Sequence, residues 1–211
     1  MNKRLKSKLV AIAKTHIHND LSHDFGHAYR VMNLATRIAI SENADLDIVI
    51  PAALFHDVFV YKGSSKYKME HVQSANFAKR ALLKIEEYPK EKIEKVAYSI
   101  MVCSFSKNIR PKLLEAKVLQ DADLLESTGA ISIMRTFGSS TPMHITAYYD
   151  LKDPFCYGRK PNDRKYSLDL FFTRLLKVSS RMHTKAARRL AMHRNTFLRS
   201  FIKELYTETK E

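Results

Sequence analysis

Apolar residues recur along this chain at the spacing of a buried helix face, and this constrains its fold more than any other feature. Val31, Leu34, Ala35, Ile38 and Ala39 follow an i, i+3, i+4, i+7 pattern, which a helical turn aligns on one side. Ala75, Ala78, Leu82 and Ile85 repeat it, as do Leu168, Phe171, Phe172, Leu175 and Leu176. A last stripe holds Leu190, Ala191, Phe197, Leu198, Phe201, Ile202 and Leu205. Asp45 or Asp47 is placed to cap a helix with Pro51 in its first turns. Pro89 and Pro111 are placed to start two more. Only 5 glycines occur in 211 residues, which disfavours a many-turned β fold and glycine-rich phosphate loops. The expected class is all-α. One segment, near residues 136–165, holds Gly138, Pro142, Pro154, Gly158 and Pro161 without a helical period. It is expected to be a long irregular excursion or lid.

Charge narrows the partners. Lys and Arg number 36 against 22 Asp and Glu, a net +14, and residues 151–211 carry +9 of it, with 15 basic and 6 acidic residues. Such a field favours anions: phosphorylated metabolites, nucleic acid or acidic membrane surfaces. Nucleic acid is not favoured, because the tail aromatics follow the core stripe and no recognisable nucleic-acid module is present. No apolar run approaches the roughly 20 residues of a membrane span. The basic start, MNKRLKSKLVAIAKTHIHND, is too broken for a signal peptide, so a cytoplasmic location without membrane association is expected. Cys103 and Cys156 fit no disulfide framework and no zinc spacing.

Strongly polar residues stand where core residues are expected. His27 precedes Val31 and Leu34 at i+4 and i+7. His56 continues the stripe of Val49, Ala52 and Ala53, with Asp57 about 100° further round the helix. Asp121 follows Leu114 and Val118 and precedes Leu125. A buried carboxylate is costly unless paired or bound to a cation, and imidazole with carboxylate suits a divalent metal. Two His and two Asp would leave positions on an octahedral ion for water and substrate, the arrangement that activates a water against phosphorus. Each of these residues alone also fits a hydrogen-bonded core position, and spacing does not show that the four converge.

These residues and their flanking text resemble the HD-domain superfamily of metal-dependent phosphohydrolases, in the branch of predicted bacterial and archaeal HD hydrolases. The likeness lies in SHDFGHAYRVMNLA, AALFHDVFVYKG and EAKVLQDADLLESTGAISIMRTF, and extends to HVQSANFAKRALLK and the tail from FFTRLLKVSS to FLRSFI. It implies an HD-domain helical bundle: a single domain over 1–211, a metal-binding core at 15–135 and basic C-terminal helices at 166–211 packed on that core. It also implies one divalent ion (Mn, Mg, Co, Fe, Ni or Zn) held by His27, His56, Asp57 and Asp121. The implied reaction is attack of a metal-activated water on a small phosphorylated metabolite, with a nucleotide the favoured substrate. Asp57 and Glu70 are the expected catalytic residues, Glu70 orienting the water with His71 beside it. Arg30, Lys62, Lys66 and Lys107 are candidate phosphate contacts. His23 and Asp24 are expected to orient a ligand or to cap the helix of His27.

The chain departs from the family pattern at several places. Cys103-Ser104 stands for His-Ser, and Asp121-Ala122-Asp123-Leu124-Leu125-Glu126 for Asp-Ala-Asp-Arg-Leu-Asp. Leu170-Phe171 stands for His-Phe, and Ser132 for a glycine. Cys103 fits a small core thiol better than a soft-metal ligand. The lost His and Arg motivate the alternative of a diverged sensor that binds metal and nucleotide without turnover. A homodimer through apolar residues of the tail helix is a further expectation.

Overall fold

Ile48 through Phe55 are all buried, and this run makes one helix the centre of the first half of the chain. The computed structural model describes residues 1–17, 24–61, 69–104, 109–140, 144–145 and 147–210. It divides into two compact units, Met1–Asp123 and Leu124–Glu211, and the division falls inside a helix. The first unit holds α1 (Lys3–His16), α2 (Phe25–Glu42), α3 (Leu46–Phe55), α4 (Glu70–Leu83), α5 (Ile93–Met101) and most of α6 (Leu114–Leu125). A helix that is apolar on every side must be surrounded, and α3 packs against α1, α2, α4 and α5. The stripes read from the sequence on α2 and α4 are buried as expected.

The start of α3 is tied down by polar bonds. Asp45 caps it, accepting from the Asp47 N–H at 2.9 Å. Lys92 Nζ lies 2.8 Å from both Asp45 and Asp47. Pro51 sits inside the helix and has no N–H to give to the residue four back, Asp47. The Asp47 carbonyl instead accepts the buried hydroxyl of Tyr88, at 2.8 Å. Pro89 follows as the cap of the short turn Lys90–Lys92 that leads into α5.

The second unit holds α7 (Gly129–Ser140), the short α8 (Asp169–Thr173), a 3-10 stretch over Leu175–Arg181 and the long α9 (Lys185–Glu208). Thr184 caps α9 through the Ala187 N–H. Gly129 opens α7 at φ 67, and a β-carbon there would meet the Arg194 side chain at 3.3 Å. That approach lets Arg194 Nη1 donate to the Leu125 carbonyl at 3.0 Å.

Two expectations are corrected in this unit. The irregular excursion begins only after Ser140, because residues 136–140 continue α7. The stripe from Leu168 to Leu176 is not one α-helix. Arg174, at φ −132 and ψ −61, ends α8, and the chain continues as a 3-10 stretch that still buries Leu175 and Val178. Leu168, Phe171, Leu175 and Leu198 form a core with Phe155 of the excursion.

The excursion is ordered by carboxylates rather than by a helical period. Asp153 accepts the N–H groups of Tyr157 and Gly158 at 2.9 and 2.8 Å. Asp169, fully buried, accepts both Nη groups of Arg159 at 2.5 and 2.8 Å and the Asn162 N–H at 2.5 Å. A buried carboxylate paired in this bidentate way is satisfied in place.

Two substitutions test these anchors. Tyr88→Phe leaves the Asp47 carbonyl without its donor and should lower unfolding stability by about 1–2 kcal/mol in a urea titration. Asp169→Ala strands the Arg159 charge and should cost about 3 kcal/mol, with new protease cuts between residues 150 and 165. Unchanged denaturation midpoints would show that neither bond supports the fold.

Candidate metal centre

The C-terminal end of α3 delivers His56, and the next residue delivers Asp57. His56 is the C-cap of the helix, and its Nδ1 donates to the Ala53 carbonyl at 2.8 Å. That bond fixes the ring and leaves Nε2 as a lone-pair donor. His27 comes from the first turn of α2, where Asp24 is the N-cap and accepts the His27 backbone N–H at 2.7 Å. Asp24 is therefore a helix cap that sets where His27 begins. His23 lies outside the described residues.

The two imidazoles face each other, with ring centroids 5.3 Å apart. Asp57 Oδ2 stands 3.6 Å from His27 Nε2 and 3.4 Å from His56 Nε2. Asp123 Oδ1 stands 3.5 and 3.8 Å from the same two nitrogens. Donors on one ion with bonds of about 2.1 Å stand roughly 3.4 Å apart in a tetrahedral set. The four His–Asp separations are close to that spacing, and His27, His56 and Asp57 offer ligand atoms that all lie within 4.8 Å of one another. Both His side chains are 1% exposed, whereas Asp57 and Asp123 keep 18% and 30%, so the cluster reaches solvent on its carboxylate side. His56 Nε2 is buried and makes no hydrogen bond. A buried ring nitrogen left in that condition, beside two carboxylates, is what a cation satisfies.

Here the structure differs from the sequence reading. The α6 carboxylate among these donors is Asp123, not Asp121. Two helical positions differ by about 200°, so the two side chains leave α6 on nearly opposite faces. Asp121 is buried as expected, but α6 buries residues on several faces, and burial did not tell which one meets the histidines. Ala116 and Leu119 precede Asp123 at i+7 and i+4, and both are fully buried. That second stripe is the signal that points to Asp123.

Cys103, expected to be a small core thiol rather than a soft-metal ligand, is buried beside this cluster. Its Sγ, a ring nitrogen of His56 and an Asp123 carboxylate oxygen lie within 4.8 Å of one another. Burial, with the charges of Asp123 and Asp57, pushes the Cys103 thiol well up from its ordinary value. Leu124 is buried, and Leu170 packs against the apolar core of the second unit.

Glu70 opens α4, buried, and accepts the Tyr61 N–H. Ser74 accepts the Phe59 N–H at 3.2 Å, and Gln73 accepts the Tyr61 hydroxyl. Glu70 thus helps latch the strand of chain after Asp57 onto α4, with buried His71 beside it. Arg30 Nη1 lies 3.3 Å from where a β-carbon at Gly26 would stand, one residue before His27. Lys62, Lys66 and Lys107 lie outside the described residues.

Electrostatics favour a cation. Burial draws the His56 imidazolium down, but the carboxylates of Asp57 and Asp123 and the Ala53 carbonyl raise it to about 9 from an ordinary 6.5. Burial raises the Asp123 carboxyl, and the neighbouring histidines more than offset it, so its net shift is downward. Without an ion, His56 therefore holds a proton at neutral pH, and that proton must leave before Nε2 can coordinate. Affinity for a divalent ion should climb with pH up to about 9. Calorimetric titration in buffers of different ionisation enthalpy should show at least one proton released per ion at pH 7.5. Affinity that is flat between pH 6.5 and 9 would contradict this.

Comparison with known proteins supplies the family. A model of the HD domain matches residues 24–128, a stretch that contains all four donors. The Bacillus subtilis protein YpgQ is 31% identical over 187 residues, covering 87% of this chain and 82% of that one. The crystal structure of YpgQ in complex with ADP superposes with a TM-score of 0.73 at 27% identity, covering 97% of this chain and 95% of that one. An HD-superfamily hydrolase from Bacillus thuringiensis superposes at 0.72 with 29% identity, covering 98% and 97%. Similarity that runs nearly end to end, on a fold that brings those donors together, places the chain in the HD-domain superfamily.

Proposed function

We propose that this protein is a metal-dependent phosphohydrolase acting on a nucleotide, with one divalent ion held by His27, His56, Asp57 and Asp123. The observation that carries the reading is the meeting of two buried imidazoles and two carboxylates, with His56 Nε2 left without a hydrogen bond. The HD hydrolase fold supports metal-dependent phosphohydrolase chemistry in general. The nucleotide assignment draws on the ADP bound to YpgQ and on a net charge of +14.

A divalent ion supplies charge neutralisation at the phosphate and acidification of a water. The protein's own groups do the rest. Ala53 holds His56 in the tautomer that presents Nε2. Asp24 sets the start of α2 and so the position of His27. Asp57 and Asp123 balance the charge of a 2+ ion, so phosphate attraction falls to basic side chains of the chain. Arg30, Lys62, Lys66 and Lys107 are assigned that task. Glu70 is assigned a positioning role through the segment that carries Asp57, beyond the water-orienting role expected from the sequence.

No helix among the described residues is long and apolar enough to cross a membrane. A binding protein without turnover is the competing reading, and the same assay separates the two.

The test is a nucleotide panel with protein stripped of metal and reloaded with Mn, Co or Mg, reading phosphate and pyrophosphate separately. Release should stop with chelator and return with metal. Asp57→Ala and Asp123→Asn should each lower metal affinity by roughly 100-fold and abolish turnover, while Asp121→Asn keeps the ion. Loss of the ion from Asp121→Asn but not from Asp123→Asn would return the ligand assignment to Asp121. Silence across the panel with the ion bound would favour the sensor.

A further inference from the structure

Beside His56 and Asp123 stands a sulfur. The chain leaves α5 at Met101 and turns the Cys103 side chain inward until the residue is 1% exposed. The backbone there is held on both sides. The Cys103 N–H donates to the Ile100 carbonyl at 3.1 Å. Gln120 of α6 donates to the adjacent Val102 carbonyl at 3.0 Å. The sulfur does not face carbon alone, since a ring nitrogen of His56 and an Asp123 oxygen lie within 4.8 Å of it.

A buried cysteine by itself indicates nothing beyond packing. The independent observation is His56 Nε2, buried and without a hydrogen bond, on the residue that belongs to both donor groups. Bonds of about 2.3 Å to sulfur and about 2.1 Å to nitrogen set neighbouring donors on one ion roughly 3.1–3.6 Å apart. A separation bounded by 4.8 Å comes into that range with at most about 1–2 Å of closure.

We infer that Cys103 is a sulfur ligand of the ion held at this centre, and that it biases the site toward borderline divalent ions such as Zn, Co and Fe over Mg. This deepens the metal-hydrolase reading and rests on it. Thiolate is the soft donor in an otherwise nitrogen and oxygen set, and softness of the ligand is a main lever of selectivity among these ions. The thiol proton passes to solvent as the metal–sulfur bond forms, so each sulfur bonded leaves one proton behind.

Cobalt(II) is the probe. Thiolate coordination gives a charge-transfer band in the near ultraviolet, whereas bound cobalt gives visible d–d bands whatever its ligands. The only other cysteine is Cys156, so Cys156→Ser leaves a single thiol. Metal-free Cys156→Ser, titrated with cobalt under reducing conditions, should develop both sets of bands together and saturate at one ion per chain. Cys103→Ser, with Cys103→Ala as a second variant, should keep the visible bands and lose the ultraviolet one. Its preference for Zn over Mg should fall at least about tenfold by competition. Visible bands without the ultraviolet band in Cys156→Ser would overturn the sulfur ligand and leave the metal centre standing. No visible bands in the wild-type protein would overturn the metal centre itself, and the inference with it. The single-thiol protein decides the matter even where a Cys103 variant fails to fold.

Discussion

Every residue of α3 from Ile48 to Phe55 is buried, and each large apolar side chain among them gains about 1.5–3 kcal/mol by leaving water. Such a helix cannot lie on a surface. It collects α1, α2, α4 and α5 around itself, and the positions of those helices follow from its need for cover. Its two ends then differ in character. The first is a polar anchor of Asp45, Asp47, Lys92 and Tyr88. The second releases His56 and Asp57 where the packed interior meets solvent. Chemistry is placed at the end of the best-buried element, the part of the unit least free to move.

That placement has an electrostatic consequence. Two imidazoles at 1% exposure and two partly exposed carboxylates cannot all be satisfied by one another at 3.4–3.8 Å. These separations exceed a strong charge-assisted hydrogen bond and match donors arranged about a cation. In the absence of an ion a proton on His56 serves as the stand-in charge, which is why its pKa rises to about 9. Proton and metal compete for one cavity, and folding has already met the cost of bringing the donors together. The neighbouring sulfur of Cys103 biases the choice among ions toward the softer ones.

The second unit solves a different problem. Residues 147–168 have almost no regular structure beyond one isolated bridge, Ala147 with Tyr166. Their order comes from Asp150, Asp153 and Asp169, which accept backbone N–H groups that no helix or sheet would otherwise use. Phe155 then carries the excursion into the apolar core made by α8, α9 and the 3-10 stretch.

The periodic stripes on α2 and α4 were legible because burial on one helix face leaves a one-dimensional record. So were His27, His56 and Asp57, since a polar group on an apolar stripe contradicts the pattern around it. The boundary of the excursion was less legible: residues 136–140 lack apolar periodicity yet continue α7 through backbone hydrogen bonds. On α6 the same rule became ambiguous. With Ala116, Val118, Leu119, Ala122 and Leu125 all buried, there is no single inward face, and both Asp121 and Asp123 satisfy a stripe. The amino-acid sequence by itself determined the helical class, the histidines and the Asp beside one of them, because these depend on neighbours within a turn or two. Only the tertiary structure decided that Asp123 faces the histidines, that Cys103 stands beside His56 and that Glu70 latches onto Tyr61. Those facts depend on how separate helices are rotated against one another, and rotation is set by packing across the core rather than along the chain.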